Sequence, residues 1–415
     1  MKKQIFISAI ILGLVFSITS SSTSVSAEKL SRKQEKENVF LNAASFGFSD
    51  KHYDVAVEYY TKALEINPRN AATYSKRGNA EYLLGHYKEA INDYTKALEL
   101  DPNLENIYYN RGIAKANLQD YDEVILDYTR ELEVNANNIN AYLNRGTTYV
   151  LLKKYDLAID DFSKVIALDD KNELAYYNRG IAKRYKNDYQ GAISDYSKVI
   201  ELDRNNIDAY NNRGAAKYYL KDYAGAESDY SKVISLDKNV YKAYYNRGLA
   251  RLGLKHYEDA IMDFTKELEF NPKNDLAYYD RGLAEGNLDH YVSAIDDYTK
   301  AIEINPDNSD FYAARGALIS KSNGDLKKAE DDLNKAIDLD GDEKRDTEKY
   351  LTRAVIFSKE KLYYDAVDDL NVVLSITPEN EEAKDLRAYA ISSAAEEERA
   401  QQQEQNQQEE QKTEE

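Results

Sequence analysis

The chain has 415 residues, a formal net charge of −19 and no cysteine. An acidic balance of that size argues against nucleic acid or an anionic membrane as the main partner, and without cysteine there is no disulfide framework, thiolate metal site or cysteine nucleophile. Tryptophan is absent and tyrosine reaches 37 residues, most of them at repeat positions that core packing explains.

Residues 1–27 read as a secretory signal peptide. Lys2 and Lys3 precede an apolar run from Ile5 to Ile18, and the small residues before Glu28 place cleavage after Ala27. The run is short for a membrane span. The expected product is therefore exported, periplasmic or extracellular, and not inserted in the membrane after cleavage; an uncleaved anchor is the competing reading. Residues 28–36 form a charged lead-in.

From about Glu37 a first, degenerate unit carries Phe40, Ala44, Tyr53, Ala56, Tyr60, Ala63 and Pro68. Beyond it an Arg-Gly pair recurs at Arg77-Gly78, Arg111-Gly112, Arg145-Gly146, Arg179-Gly180, Arg213-Gly214, Arg247-Gly248, Arg281-Gly282 and Arg315-Gly316, each step being 34 residues. A fixed period of that length is the mark of a repeat array. Counting from Arg179, Ala192, Tyr196 and Val199 fall 13, 17 and 20 positions on, which is one face of a helix. Tyr176 and Gly180 lie on an earlier helix, and Asn187-Asp188 supplies the turn. Each unit is thus helix, turn, helix, and Gly180 with Ala192 marks where two antiparallel helices approach closely.

One extra residue near Asn323-Gly324 and a few more between Asp342 and Asp346 shift the tenth unit to Tyr350, Arg353, Ala366, Asp369 and Pro378. This irregular stretch, 323–346, is the expected kink or functional junction within a repeat region spanning 37–380. Residues 381–400 read as a capping helix, with Ala383, Leu386, Tyr389 and Ala390 three to four apart. The Gln/Glu-rich residues 401–415 have no apolar side chain and read as a disordered tail.

The pattern resembles the tetratricopeptide repeat, whose signature is matched in one copy by Tyr74, Gly78, Ala90, Tyr94, Ala97 and Pro102. The resemblance implies an all-α fold, a right-handed α-solenoid of about ten helix-turn-helix units. In that family the first helices face a concave groove that takes up extended peptide, so the position before each Arg is the one to inspect. It holds Asn110, Asn144, Asn178, Asn212 and Asn246, flanked by Lys76 and Asp280. Such a row resembles the asparagine ladder in the repeat domain of O-linked N-acetylglucosamine transferase. An amide offers a donor and an acceptor together and can satisfy peptide N–H and C=O groups whatever the side chains. The competing reading is that each amide bonds within the scaffold. Tyr109, Tyr177 and Tyr245, one residue earlier, are the expected apolar anchors.

An Asp recurs 16 residues after each Arg, from Asp93 to Asp297, and this charge pattern reads as structural pairing. The four histidines, His52, His86, His256 and His290, share one turn position and do not converge on a metal site. No nucleophile elbow, phosphate loop or catalytic pair is present. The expected function is a non-enzymatic scaffold without cofactor that binds a protein or peptide of the cell envelope. The alternative is a glycan or cell-wall fragment lying on the Tyr- and Asn-rich groove.

Overall fold

Each 34-residue copy becomes a helical hairpin because its apolar positions recur at helical spacing and its helix ends carry their own caps. In the computed structural model, residues 32–322, 324–341 and 346–414 are described, and these form 21 helices and no strand. The expected signal peptide, Asn323 and residues 342–345 of the irregular stretch lie outside the described residues.

The chain forms two compact units, Met1–Ala216 and Lys217–Glu415. The first carries α1 (Arg32–Ser49), α2 (Tyr53–Ile66), α3 (Ala71–Leu83), α4 (Tyr87–Leu100), α5 (Ile107–Asn117), α6 (Tyr121–Val134), α7 (Ile139–Leu151), α8 (Tyr155–Leu168), α9 (Glu173–Tyr185), α10 (Tyr189–Leu202) and most of α11 (Ile207–Tyr219). The second carries the end of α11, then α12 (Tyr223–Leu236), α13 (Tyr241–Gly253), α14 (Tyr257–Phe270), α15 (Asp275–Asn287) and α16 (Tyr291–Ile304). It continues with α17 (Ser309–Lys321), α18 (Leu326–Asp340), α19 (Thr347–Lys359), α20 (Tyr363–Ile376) and α21 (Glu381–Glu414). Odd-numbered helices are the first of each pair and even-numbered ones the second, with α21 closing the series.

Asn sets the start of several first helices. The side chains of Asn70, Asn138, Asn172 and Asn274 accept from the backbone N–H three residues on, at 3.0–3.2 Å, a bond that satisfies one of the otherwise orphaned donors of the first turn. The turn between paired helices needs a left-handed residue. Gly85 takes that place once, but Lys51, Gln119, Lys153, Asn187, Lys221, Lys255, Asp289 and Lys361 hold it elsewhere at φ 58–64°.

Packing within a pair turns on the recurring Gly. A Cβ at Gly112 would stand 2.7 Å from Cε1 of Tyr128, and one at Gly180 2.8 Å from the same atom of Tyr196; real Cβ atoms do not come so close. Ala90, Ala158, Ala192, Ala260, Ala294 and Ala366 are fully buried at the facing position.

The recurring Arg and Asp form a forked ion pair at Arg77, Arg111, Arg145, Arg179, Arg247, Arg281, Arg315 and Arg353. In the first unit Arg145 Nε and Nη2 donate to the two oxygens of Asp161 at 2.8 and 2.7 Å, and Nη1 donates to Thr129 Oγ1 of the preceding copy at 2.9 Å. In the second unit Arg281 does the same with Asp297 and Thr265. Each guanidinium also lies over the Tyr three residues before it, as Arg145 over Tyr142 at 5.7 Å and Arg281 over Tyr278 at 5.5 Å. One side chain thereby joins both helices of a copy to the copy before it. Several of the Asp groups take a second cation, Lys183 on Asp195 at 2.8 Å and Arg251 on Asp263 at 2.8 Å. Where Arg stands alone, as at Asp161, Asp297 and Asp369, burial outweighs it and pushes the carboxyl up.

Both ends differ from expectation. Helix α1 begins at Arg32, inside the expected lead-in, and buries Glu37 as the acceptor of Asn67 Nδ2 at 3.1 Å and Asn70 Nδ2 at 2.9 Å. At the other end α21 caps the array through Ala383, Leu386 and Ala390 against Leu351, Leu370 and Val373, while Tyr389 is exposed. The helix then runs on to Glu414, where a disordered tail was expected. Gln and Glu are good helix formers, and elongating an existing helix avoids the cost of a new nucleus. Across the irregular stretch, buried Lys349 of α19 reaches Asp340 of α18 at 2.5 Å and Ser309 of α17 at 3.0 Å.

Candidate peptide-binding face

The residue before each Arg lies on the first helix of its copy, beside the first helix of the copy before. In the first unit this register sets Asn110 Nδ2 3.3 Å from Asn79 Oδ1, Asn144 Nδ2 3.2 Å from the Tyr109 hydroxyl, and Asn212 Nδ2 3.0 Å from the Tyr177 hydroxyl. The two Tyr–Asn bonds each span 35 residues, one repeat plus one position. Asn212 also donates to its own helix at Asp208 O, 2.8 Å away. The row is therefore a working part of the scaffold, tying first helix to first helix.

Its members are not equivalent. Asn178 has Leu143 in the place of the Tyr partner; it is 9% exposed and makes no side-chain hydrogen bond among the described residues. The carbonyl oxygens of Asn110 and Asn212 receive no donor from the described chain. In the second unit Asn246 is half-buried, likewise without a side-chain hydrogen bond there, and the next member is Asp280, which accepts from the Tyr245 hydroxyl at 2.7 Å.

The three expected anchors separate in the same way. Tyr109 is 5% exposed, packs on Tyr128 at 5.8 Å and belongs to the core. Tyr177 and Tyr245 are half-buried. Burial pushes the Tyr109 and Tyr177 phenols up to about 12, so both stay protonated donors at neutral pH. On first helices Tyr185 of the first unit and Tyr219 and Leu276 of the second are exposed, as are Val39 and Phe46 of α1 and Tyr241 of α13.

Arg184 of α9 makes no ion pair among the described residues; its Nε is buried and its guanidinium rests on Tyr185 at 4.9 Å. The turn histidines pair locally, His86 with Glu81 at 2.8 Å and His290 with Glu285 at 2.7 Å. Among the described residues no group of three His, Asp or Glu side chains is arranged to hold a metal ion.

Sequence reasoning missed the hydroxyl partners of the Arg groups. Thr61, Thr95, Thr129, Ser163, Ser197, Ser231, Thr265 and Thr299 stand 16 residues before successive Arg positions, a period as regular as that of the Asp. It missed the Tyr–Asn links because they join neighbouring copies and are invisible within one.

Profiles described as tetratricopeptide repeat match residues 38–70, 139–172, 212–275, 276–308 and 297–331, and one described as TPR repeat matches 78–119 and 182–221, together more than half of the chain. The chain is a tetratricopeptide repeat protein. Among solved structures this repeat protein is similar to MamA, at 30% identity over 40% of this chain and 92% of that one with a TM-score of 0.39. It is also similar to YrrB, described as a TPR protein with an unusual peptide-binding site, at 26% identity over 45% and 97% with a TM-score of 0.42. A tetratricopeptide repeat protein from Parabacteroides merdae matches at 21% identity over 60% and 99%, with a TM-score of 0.44. No curated protein matches the chain. Tetratricopeptide repeats act as interaction scaffolds, and protein or peptide segments are the partners such a fold serves.

Proposed function

We propose that this repeat protein is a non-enzymatic scaffold of the cell envelope, exported through residues 1–27, that takes an extended segment of another protein along the face of its first helices. The observation that carries the reading is the unequal hydrogen bonding of the Asn row. An extended peptide presents alternating N–H and C=O groups that lose water on docking and need partners. Asn178 and Asn246 have unspent amides, and Asn110 and Asn212 have unspent carbonyl oxygens, while Asn144 contributes one further donor. Tyr177 and Tyr245 flank them with half-buried rings, which offer contact area at low entropic cost.

The test is a pull-down from the envelope fraction with the chain from Glu28 onward, comparing wild type with a variant carrying Asn178→Ala and Asn246→Ala. Neither substitution breaks a bond within the scaffold, so the two proteins should melt together. Retention of a protein by wild type and its loss with the variant supports the reading. Equal retention moves the site away from the row, and retention of wall polymer alone turns the assignment to a glycan.

A further inference from the structure

Asp280 differs from the Asp groups of the scaffold in having no Arg partner among the described residues. The scaffold carboxylates described with their partners, Asp93, Asp127, Asp161, Asp195, Asp263, Asp297, Asp332 and Asp369, each hold a forked Arg. Asp280 occupies the Asn position of its copy, is 9% exposed, and has no cation within ion-pair distance among the described residues; its hydrogen bond comes from the neutral Tyr245 hydroxyl. Taking a carboxylate out of water without a counter-charge is costly, and the Asn found at this register in five preceding copies would avoid that cost.

Phenols surround it. Tyr245 lies on the preceding first helix, Tyr279 precedes it in sequence, and Tyr298 packs at a tilt against Tyr279 with ring centroids 5.8 Å apart. Burial, with the Asp280 charge among the neighbours that add to it, pushes up the phenols of Tyr218, Tyr279 and Tyr298, which places the three rings within its field. The exposed Leu276 stands one turn away on the same helix. A negative charge bordered by tyrosines attracts an organic cation by Coulomb attraction, and a ring adds to it where the cation comes to lie over its face.

We propose that Asp280, with Tyr218, Tyr245 and Tyr279, forms a subsite for an ammonium group, namely a lysine side chain of the docked segment. The inference rests on the first-helix face being the peptide site. An entering ammonium replaces the missing counter-charge of Asp280, and the neutral acetyl-lysine does not. The subsite therefore selects within a face that is otherwise indifferent to sequence.

Two measurements on the full chain test it. In the first, Asp side-chain carboxyls are labelled with 13C, and the Asp280 signal is identified by its loss in Asp280→Asn. Adding n-butylammonium should lower the titration midpoint of that signal by about one pH unit relative to sodium chloride at equal ionic strength, a tenfold preference for the ionised form; an unchanged midpoint overturns the proposal. In the second, an array of extended peptides carries a central lysine or its acetylated form. Wild type should retain the lysine member about tenfold better and Asp280→Asn should retain both alike, whereas equal retention of the two peptides by wild type overturns the lysine assignment. A shifted midpoint without retention of any peptide supports the cation subsite and counts against the scaffold reading, so the two fail separately.

Discussion

The Tyr245 hydroxyl donates to the Asp280 carboxylate at 2.7 Å, in the register where Tyr109 and Tyr177 meet the amides of Asn144 and Asn212. The bond has the same place in each pair of copies, but only in this one does the acceptor carry a charge. Burial pushes the Asp280 carboxyl from its ordinary 3.8 up to about 6. The native chain thus holds a proton that the unfolded chain releases from pH 4 upward, and the stability linked to it is complete below that and lost as pH rises through about 6. Asp280→Asn keeps the hydrogen bond and removes the charge. It should raise the melting temperature at pH 8, with a ceiling of about 3 kcal/mol, and leave it unchanged at pH 4. A gain of equal size at both pH values would show that charge is not the cause.

The Asn row should divide into two classes. Asn144→Ala leaves the buried Tyr109 hydroxyl without its partner and should cost about 1–2 kcal/mol, read as a lower melting temperature. Asn178→Ala, at a position with no bond to lose, should fall within about 0.5 kcal/mol of wild type. Equal losses at both would mean that the Tyr–Asn link contributes nothing.

Among the described residues Arg145 is the sole cation on Asp161. Arg145→Ala strands a carboxylate that is almost wholly buried and should cost about 3–5 kcal/mol. Thr129→Val removes only the neutral acceptor of Nη1 and should cost about 1 kcal/mol. Because arrays of repeats open locally, hydrogen exchange is the sharper readout: faster exchange should centre on α7 and α8 in the first variant and be weak in the second.

Lys153 holds its turn at φ 58°. A residue with a Cβ pays about 1–2 kcal/mol for the left-handed region, a cost that Gly escapes while losing some entropy in the unfolded chain. Lys153→Gly should therefore stabilise the first unit by about 0.5–1 kcal/mol, as should Lys255→Gly in the second. A lower melting temperature in either would show that the Lys side chain has a compensating contact.

Much of this fold was legible because its signals repeat. Arg-Gly, the facing Ala and the delayed Asp recur with one period, and the structure pairs Arg with Asp as that pattern implies. The left-handed turn was not legible, since Lys occupies it where Gly is the usual cue. The tail was misread because absence of apolar residues says that residues 401–414 cannot build a core, not that they cannot lengthen a helix already begun. At the candidate site the sequence located the row of amides but not their inequality. Whether Asn144 and Asn178 are spent depends on the residue 35 positions earlier, Tyr109 for Asn144 and Leu143 for Asn178, and that relation appears only when copies are stacked.

The claim that the first-helix face receives a partner is tested most directly by photo-crosslinking in the cell envelope. A crosslinking residue is placed at Tyr185 or Leu276, exposed on first helices, and for comparison at Leu126 or Met262, exposed on second helices. Adducts to one protein from Tyr185 and Leu276, absent from Leu126 and Met262, are the predicted result. Adducts from the second-helix positions with none from the first-helix positions would contradict it.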